Sequence, residues 1–299
     1  MHPADVTWPS IRIVGVEQLV AVVQRLTADA ASIESPVAWR GLAKIEWTLR
    51  STLDRALRPG IGKDEYVAVL VQERAILERF RVQAERFASS AEREFLRTID
   101  GEGIWNVMAL GRHSGLPTRI VDWSASPMVA AYFACMEHAD SDGVVWWFVQ
   151  KQLDDAIHAE WDGWGVPTRA TVLGCDDIDP VLQSTFRLNE RYLSAAAFDE
   201  HSATWIAKLH HRFMFPRMEA QQGFMTVCGR VRVDHNEAID SLPGSAGLRR
   251  GRLVIDRQLK RDVMRWLAMC NISAQSLLYP GIDHVSRQIA SEVEQGSPL

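Results

Sequence analysis

The chain has 299 residues, 47% of them hydrophobic and 24% charged, an ordinary globular composition that excludes a disordered or fibrous protein. A chain of this length buries roughly 75% of its unfolded surface on folding, so it needs no disulfide or metal staple. Thirty-three basic against 38 acidic residues give a formal net charge of -5, which argues against nucleic-acid binding by bulk electrostatics and leaves only local basic patches.

The N-terminal residues carry an early Asp5 and no cationic stretch, so no signal peptide is expected. Ile11 to Val14 reads as a short strand. Glu17 to Thr27 repeats Leu19, Val22, Val23 and Leu26 at helical spacing. Pro36 to Gly41 reads as a second strand ending at a glycine. Asp64 to Phe87 places Val67, Leu70, Val71, Leu77, Phe80, Ala84 and Phe87 along one stripe of an amphipathic helix. Short helices follow at Ala91 to Ile99 and Ile104 to Leu110, leaving His113 in a glycine-flanked turn.

Thr118 to Trp123 is extended and runs into a sharp helix start, with Ser126 suited to the N-cap and Pro127 to the first helical position. Met128 to His138 continues as an apolar helix that Gly143 breaks, and Val144 to Val149 has the composition of a buried strand. Further on, a Trp/Gly loop is expected at 161–165, with helices at 180–198 and 202–211. Strands follow at Phe224 to Cys228 and Leu253 to Ile255, and closing helices at Arg257 to Met269 and His284 to Glu294. Strands and helices mix without a regular βαβ rhythm, and no Pro/Ser/Gly-rich linker divides them. The expected fold is therefore a single α+β domain over 1–299, with a mixed sheet core and flanking helices.

Two arginine groups are the nearest basic patches: Arg79, Arg81 and Arg86 on a predicted helix, and Arg249, Arg250 and Arg252 before a strand. Solvated faces explain both most simply. The four cysteines are widely spaced and form no C-x-x-C pair, which supports neither a disulfide framework nor zinc. Cys135, Cys228 and Cys270 lie in apolar runs and read as small buried thiols. No apolar stretch reaches the 18 residues of a membrane span, so the expectation is a cytoplasmic protein without membrane contact.

Chemistry-bearing residues gather at element boundaries. Arg40 sits between Trp39 and Gly41 at a strand end; the glycine would let a ligand approach the backbone and the arginine could grip a phosphate. A structural arginine over a tryptophan face beside a turn glycine accounts for the same residues. His113, Thr118, Arg119, Asp122, Ser124 and Ser126 crowd around the next strand and the helix start after it, where backbone amides are unpaired. Asp122 and Ser126 acting as caps is the simpler account. In Arg217 to Phe224, strand periodicity would put Glu219 and Gln221 on one face.

Together these segments resemble the FRG domain family. Its aromatic-Arg-Gly strand resembles Trp39-Arg40-Gly41, and its His-x-Gly-Leu-Pro-Thr-Arg run resembles His113 to Arg119 followed by Ile120 to Pro127. Ala131-Tyr132-Phe133-Ala134, the Arg217 to Gly223 segment and the tail from Ser276 extend the likeness over about 35–290, with the strand and helix of 11–28 packed onto it. Arg112 stands where the family usually has Gln, and Ser114 where it has an aromatic.

A more distant similarity, to ADP-ribosyltransferases, implies a mechanism: NAD as the substrate, no metal, and a carboxylate stabilising an oxocarbenium-like state. It implies that Trp39, Arg40, Gly41, Thr118, Arg119, Ser124 and Ser126 hold the NAD. Glu219 or Gln221 would then sit at the reacting ribose, with His113 and Asp122 serving an acceptor. The acceptor would be protein or nucleic acid, the role that of a toxin or phage-defence factor, and an antitoxin or other partner protein would accompany it. The alternative is a non-catalytic module that binds a nucleotide, nucleic acid or protein at the same residues.

Overall fold

The structure is a computed structural model that describes residues 7–56, 63–96, 103–163, 206–209, 216–228 and 231–278. Its centre is one seven-stranded mixed sheet. The strands are β1 (Ser10–Ile13), β2 (Val37–Leu42), β3 (Ile120–Ser124), β4 (Gly143–Val149), β5 (Ile206–Leu209), β6 (Gly223–Cys228) and β7 (Arg250–Ile255), and their spatial order is β1-β7-β4-β2-β3-β6-β5. Only β1 and β7 run parallel; every other pairing is antiparallel. With helices on both faces, this is the α+β architecture with a mixed sheet core that the sequence implies.

The strand β4 shows why the sheet is buried on both sides. All seven residues of Gly-Val-Val-Trp-Trp-Phe-Val are inaccessible, as expected for a central strand covered by helices on both faces. Val144, Trp146 and Phe148 point into one apolar cluster; Val145, Trp147 and Val149 point into the other.

On the second face lie α1 (Val16–Ala31), α6 (Pro127–Cys135) and α10 (Lys260–Met269). The inward stripe of α1 is Leu19, Val22, Leu26 and Ala30, close to its predicted face. In α6, Ser126 accepts from the Val129 amide at 3.4 Å, with Pro127 behind it; the predicted helix start is observed. The Cys135 thiol, buried in this helix, is pushed up to about 12 by desolvation and is inert.

The first face carries α3 (Lys63–Ala84) and α5 (Gly103–His113), with α4 (Ser90–Phe95) beside them. The predicted α3 helix is present and its stripe holds in part, with Leu77 buried and Phe80 and Ala84 packed against the core. Val69, Glu73 and Leu77 face inward, whereas Val71 and Phe87 are 54% and 89% exposed. An apolar-periodicity reading treats Glu73 as an outward residue. In the fold it is inside because it pairs with buried Arg119.

Other expectations are corrected. Residues 206–209 form β5 rather than part of a helix. Gln150–Gly163 is an unanticipated helix, α7, which also takes in Trp161 to Gly163 from the expected Trp/Gly loop. Arg250 and Arg252 are not on a solvated face: they are buried in β7, with their guanidiniums over Trp8 and Trp146 at 5.6 and 5.2 Å. Cys270 is exposed rather than buried. The helices expected at 180–198 and 284–294 lie outside the described residues, as does most of the tail from Ser276. Among the described residues, no helix is long and apolar enough to cross a membrane.

Candidate functional site

The sheet is weakest between β2 and β3, which share a single registered pair, Trp39 with Ser124. Beyond that pair, Arg40 reaches across and donates from Nη1 to the backbone carbonyl of Asp122. A side chain thus supplies the contact that a ladder hydrogen bond would otherwise make. The same nitrogen lies 3.8 Å from the Asp122 carboxylate.

Asp122 also receives Arg112, whose Nε and Nη2 approach Oδ2 at 2.7 and 2.6 Å. Arg112 is placed by the end of α5. The Leu116 amide donates to the Gly111 carbonyl and the Gly115 amide to the Arg112 carbonyl, a Schellman closure that needs φ = 88° at Gly115. His113 is therefore the last residue of α5 and not a turn residue. Its own carbonyl accepts from Arg217 Nη1 at 3.5 Å.

The electrostatics follow from this placement. Burial would raise the Asp122 carboxyl, but Arg112, Arg40 and His113 outweigh it and hold the group below its usual value. Burial pushes Arg40 down to about 9, which leaves it charged at neutral pH. Burial also lowers His113; Asp122 opposes the shift while Arg217 and Arg112 add to it, so the imidazole is neutral at physiological pH. Arg55 is lowered first by burial and then by the charge of Arg112. Arg40 and Arg112 thus contact one carboxylate and Arg55 lies within its field, while Arg217 adds its charge beside His113, leaving a local excess of positive charge. The side chains of Arg112 and Asp122 are 18% and 29% exposed, so solvent reaches them. Asp122 Oδ1 and Arg40 Nε are buried with no hydrogen-bond partner among the described residues.

Other predicted site residues serve the fold. Trp39 is 1% exposed and faces the α6 side of the sheet. Gly41 is a glycine because α6 crosses it: a Cβ there would overlap the Ala130 carbonyl oxygen and lie 2.7 Å from the Ala134 nitrogen. The predicted ligand approach at this glycine is replaced by helix packing. Thr118 is fully buried, its amide donating to Thr52 Oγ1 at 3.1 Å. Arg119 is locked onto Glu73, with both side chains 7% exposed. Ser124 Oγ donates to the Gln221 carbonyl at 2.6 Å and accepts from the Ser126 amide at 2.9 Å, while Ser126 caps α6.

Glu219 and Gln221 do not share a strand face. Pro216–Ala220 is a short helix, α8, and Gln221–Gln222 is the turn before β6. Glu219 is exposed; Gln221 donates from Nε2 to the Leu277 carbonyl at 2.9 Å. Even so, the pairing of Trp39 with Ser124 and the bond from Ser124 to Gln221 bring all three motif segments to one end of the sheet. Arg55, Arg112 and Arg217 are members of the cluster that sequence reasoning missed. Arg112 left a signal, because it departs from the family pattern ten positions before Asp122. Among the described residues, no group of three His, Cys, Asp or Glu side chains gathers as a metal site.

The chain is an α+β protein with arginines gathered on the Asp122 carboxylate at the seam of its mixed sheet. Residues 35–143 match the FRG domain model, and the chain carries an FRG domain there. No curated protein and no solved structure matches the chain.

Proposed function

We propose that this FRG-domain protein is a recognition module for a phosphate-bearing ligand of the nucleotide type, with NAD one candidate, bound at the arginine cluster around Asp122. The carrying observation is the convergence of Arg40 and Arg112 on one partly exposed carboxylate, with Arg55 adding charge there and Arg217 beside the adjoining His113. Guanidiniums in this arrangement suit phosphate oxygens, which accept their paired N–H groups.

Binding is favoured over ADP-ribosyl transfer by the late segment. The transfer chemistry needs a carboxylate beside the reacting ribose. Glu219 is exposed, and Gln221 is uncharged and bonded to Leu277. A second reading, transfer to a protein or nucleic-acid acceptor in a toxin or defence role, draws on the neutral His113 beside Asp122. In that case Asp122 would be the carboxylate of the site.

Calorimetry with NAD, ADP and pyrophosphate tests the binding reading. Arg112→Ala removes a charge-assisted pair worth roughly 1.5–3 kcal/mol, so affinity should fall about 10- to 100-fold. Unchanged affinity in a folded Arg112→Ala protein refutes it. Release of nicotinamide from NAD with an acceptor present would favour the transfer reading.

A further inference from the structure

Asp122 is an odd member of an anion site, since it repels the ligand its neighbours attract. The Nε and Nη2 edge of Arg112 that would hold a phosphate is already occupied by Asp122 Oδ2, at 2.7 and 2.6 Å. Arg40 faces the same oxygen from 3.8 Å. We propose that Asp122 is a tethered stand-in for the ligand's anion, and that it makes the site selective for terminal phosphates and pyrophosphates over phosphodiesters.

Asp122 has this role only if the cluster binds phosphate at all, as proposed above. A side chain already attached to the protein competes without losing translational freedom, whereas an incoming ligand does lose it. A phosphodiester carries one negative charge, the same as Asp122. Taking Arg112 from the carboxylate would exchange like for like and leave two anions facing each other. A phosphomonoester carries about -1.5 to -2 charges at neutral pH, and a pyrophosphate spreads its charge over two centres. The additional charge can engage Arg55, which lies within the field of Asp122 and donates no hydrogen bond to it among the described residues.

Exposure separates this pair from the other arginine–carboxylate contact nearby. Arg119 and Glu73 are each 7% exposed and closed to a ligand, while Arg112 and Asp122 are 18% and 29% exposed. Only the second pair can open to a competitor from solution. The ligand class that follows is a free nucleotide or a phosphorylated strand end, and not the interior of a nucleic-acid strand.

The test is calorimetry on the full chain with pyrophosphate, a 5′-phosphorylated tetranucleotide, and the same tetranucleotide with hydroxyls at both ends. The first two should bind at least about tenfold more tightly than the third, the scale expected of like-charge discrimination. Asp122→Asn should narrow that gap by tightening the hydroxyl-ended strand. Equal affinities for all three in the unmodified protein overturn the role of Asp122 and leave the phosphate site standing. A gap unchanged in folded Asp122→Asn overturns it as well. If none of the three binds, both the selectivity and the phosphate site are refuted. Should Asp122→Asn fail to fold, the comparison in the unmodified protein decides alone.

Discussion

Replacing Gly41 with alanine separates a packing role from a ligand role at the family's name-giving motif. The added Cβ would overlap the Ala130 carbonyl oxygen and lie 2.7 Å from the Ala134 nitrogen and 2.8 Å from the Ala130 carbonyl carbon. All three are backbone atoms of α6, so no side chain can rotate out of the way. Restoring ordinary contact distances requires β2 and α6 to separate by about 1.5 Å. Such overpacking costs about 1–3 kcal/mol, and the purely backbone contact puts this site at the upper end. With an unfolding entropy of about 2.1 cal/mol/K per residue, the whole chain has about 0.6 kcal/mol/K, so 3 kcal/mol lowers Tm by about 5 °C. Differential scanning calorimetry reads that shift, and pyrophosphate binding well below Tm should be retained. A variant that melts within about 1 °C of the unmodified protein yet loses binding would refute the packing account and return Gly41 to the ligand.

Two further outcomes concern buried groups. His235, 1% exposed, donates from Nε2 to the Arg119 carbonyl and accepts at Nδ1 from Thr226, which in turn accepts from Trp123. Burial pushes it down to about 4; the folded protein therefore prefers it neutral, and its contribution is complete above pH 6.5 and lost as pH falls towards 4. Urea denaturation should show about 2 kcal/mol lost between pH 7.5 and 5, and His235→Gln should flatten that slope; an unchanged slope would count against the assignment. Arg119→Met leaves Glu73 buried and alone, at a cost of about 3–5 kcal/mol by chemical denaturation, whereas adding Glu73→Leu should recover most of it. Failure of the double variant to regain stability would mean the pair does more than neutralise itself.

The elements that the sequence disclosed best are those in which side-chain pattern and burial agree. The α1 stripe, the uniformly apolar β4 and the Ser126-Pro127 helix start all belong to this group. Reading failed where a charged residue is buried. Glu73, Arg250 and Arg252 look like solvent-facing residues, and only the positions of Arg119, Trp8 and Trp146 reveal why they are inside. Segment 216–222 failed for a different reason. It is too short for periodicity to distinguish a helical turn from a strand. Of the residues that the sequence singles out, Arg40 and His113 lie beside Asp122 in the fold. Arg55 lies in no motif segment, and Arg217 opens one without drawing notice to its own side chain; only the fold brings Arg55 near Asp122 and Arg217 to the His113 carbonyl.

The boundary of the family match cuts through the sheet. Residues 35–143 contain β2 and β3 whole, but β4 only at Gly143. From Val37 to Leu42, β2 is zipped to 144–149; from Ile120 to Ser124, β3 is zipped to 223–227. Cut at its family limits, the segment would keep its signature residues yet present two raw strand edges held by one pair, Trp39 with Ser124. The motif is thus a component of a larger fold, and its charge cluster depends for its shape on strands that lie beyond the recognisable stretch.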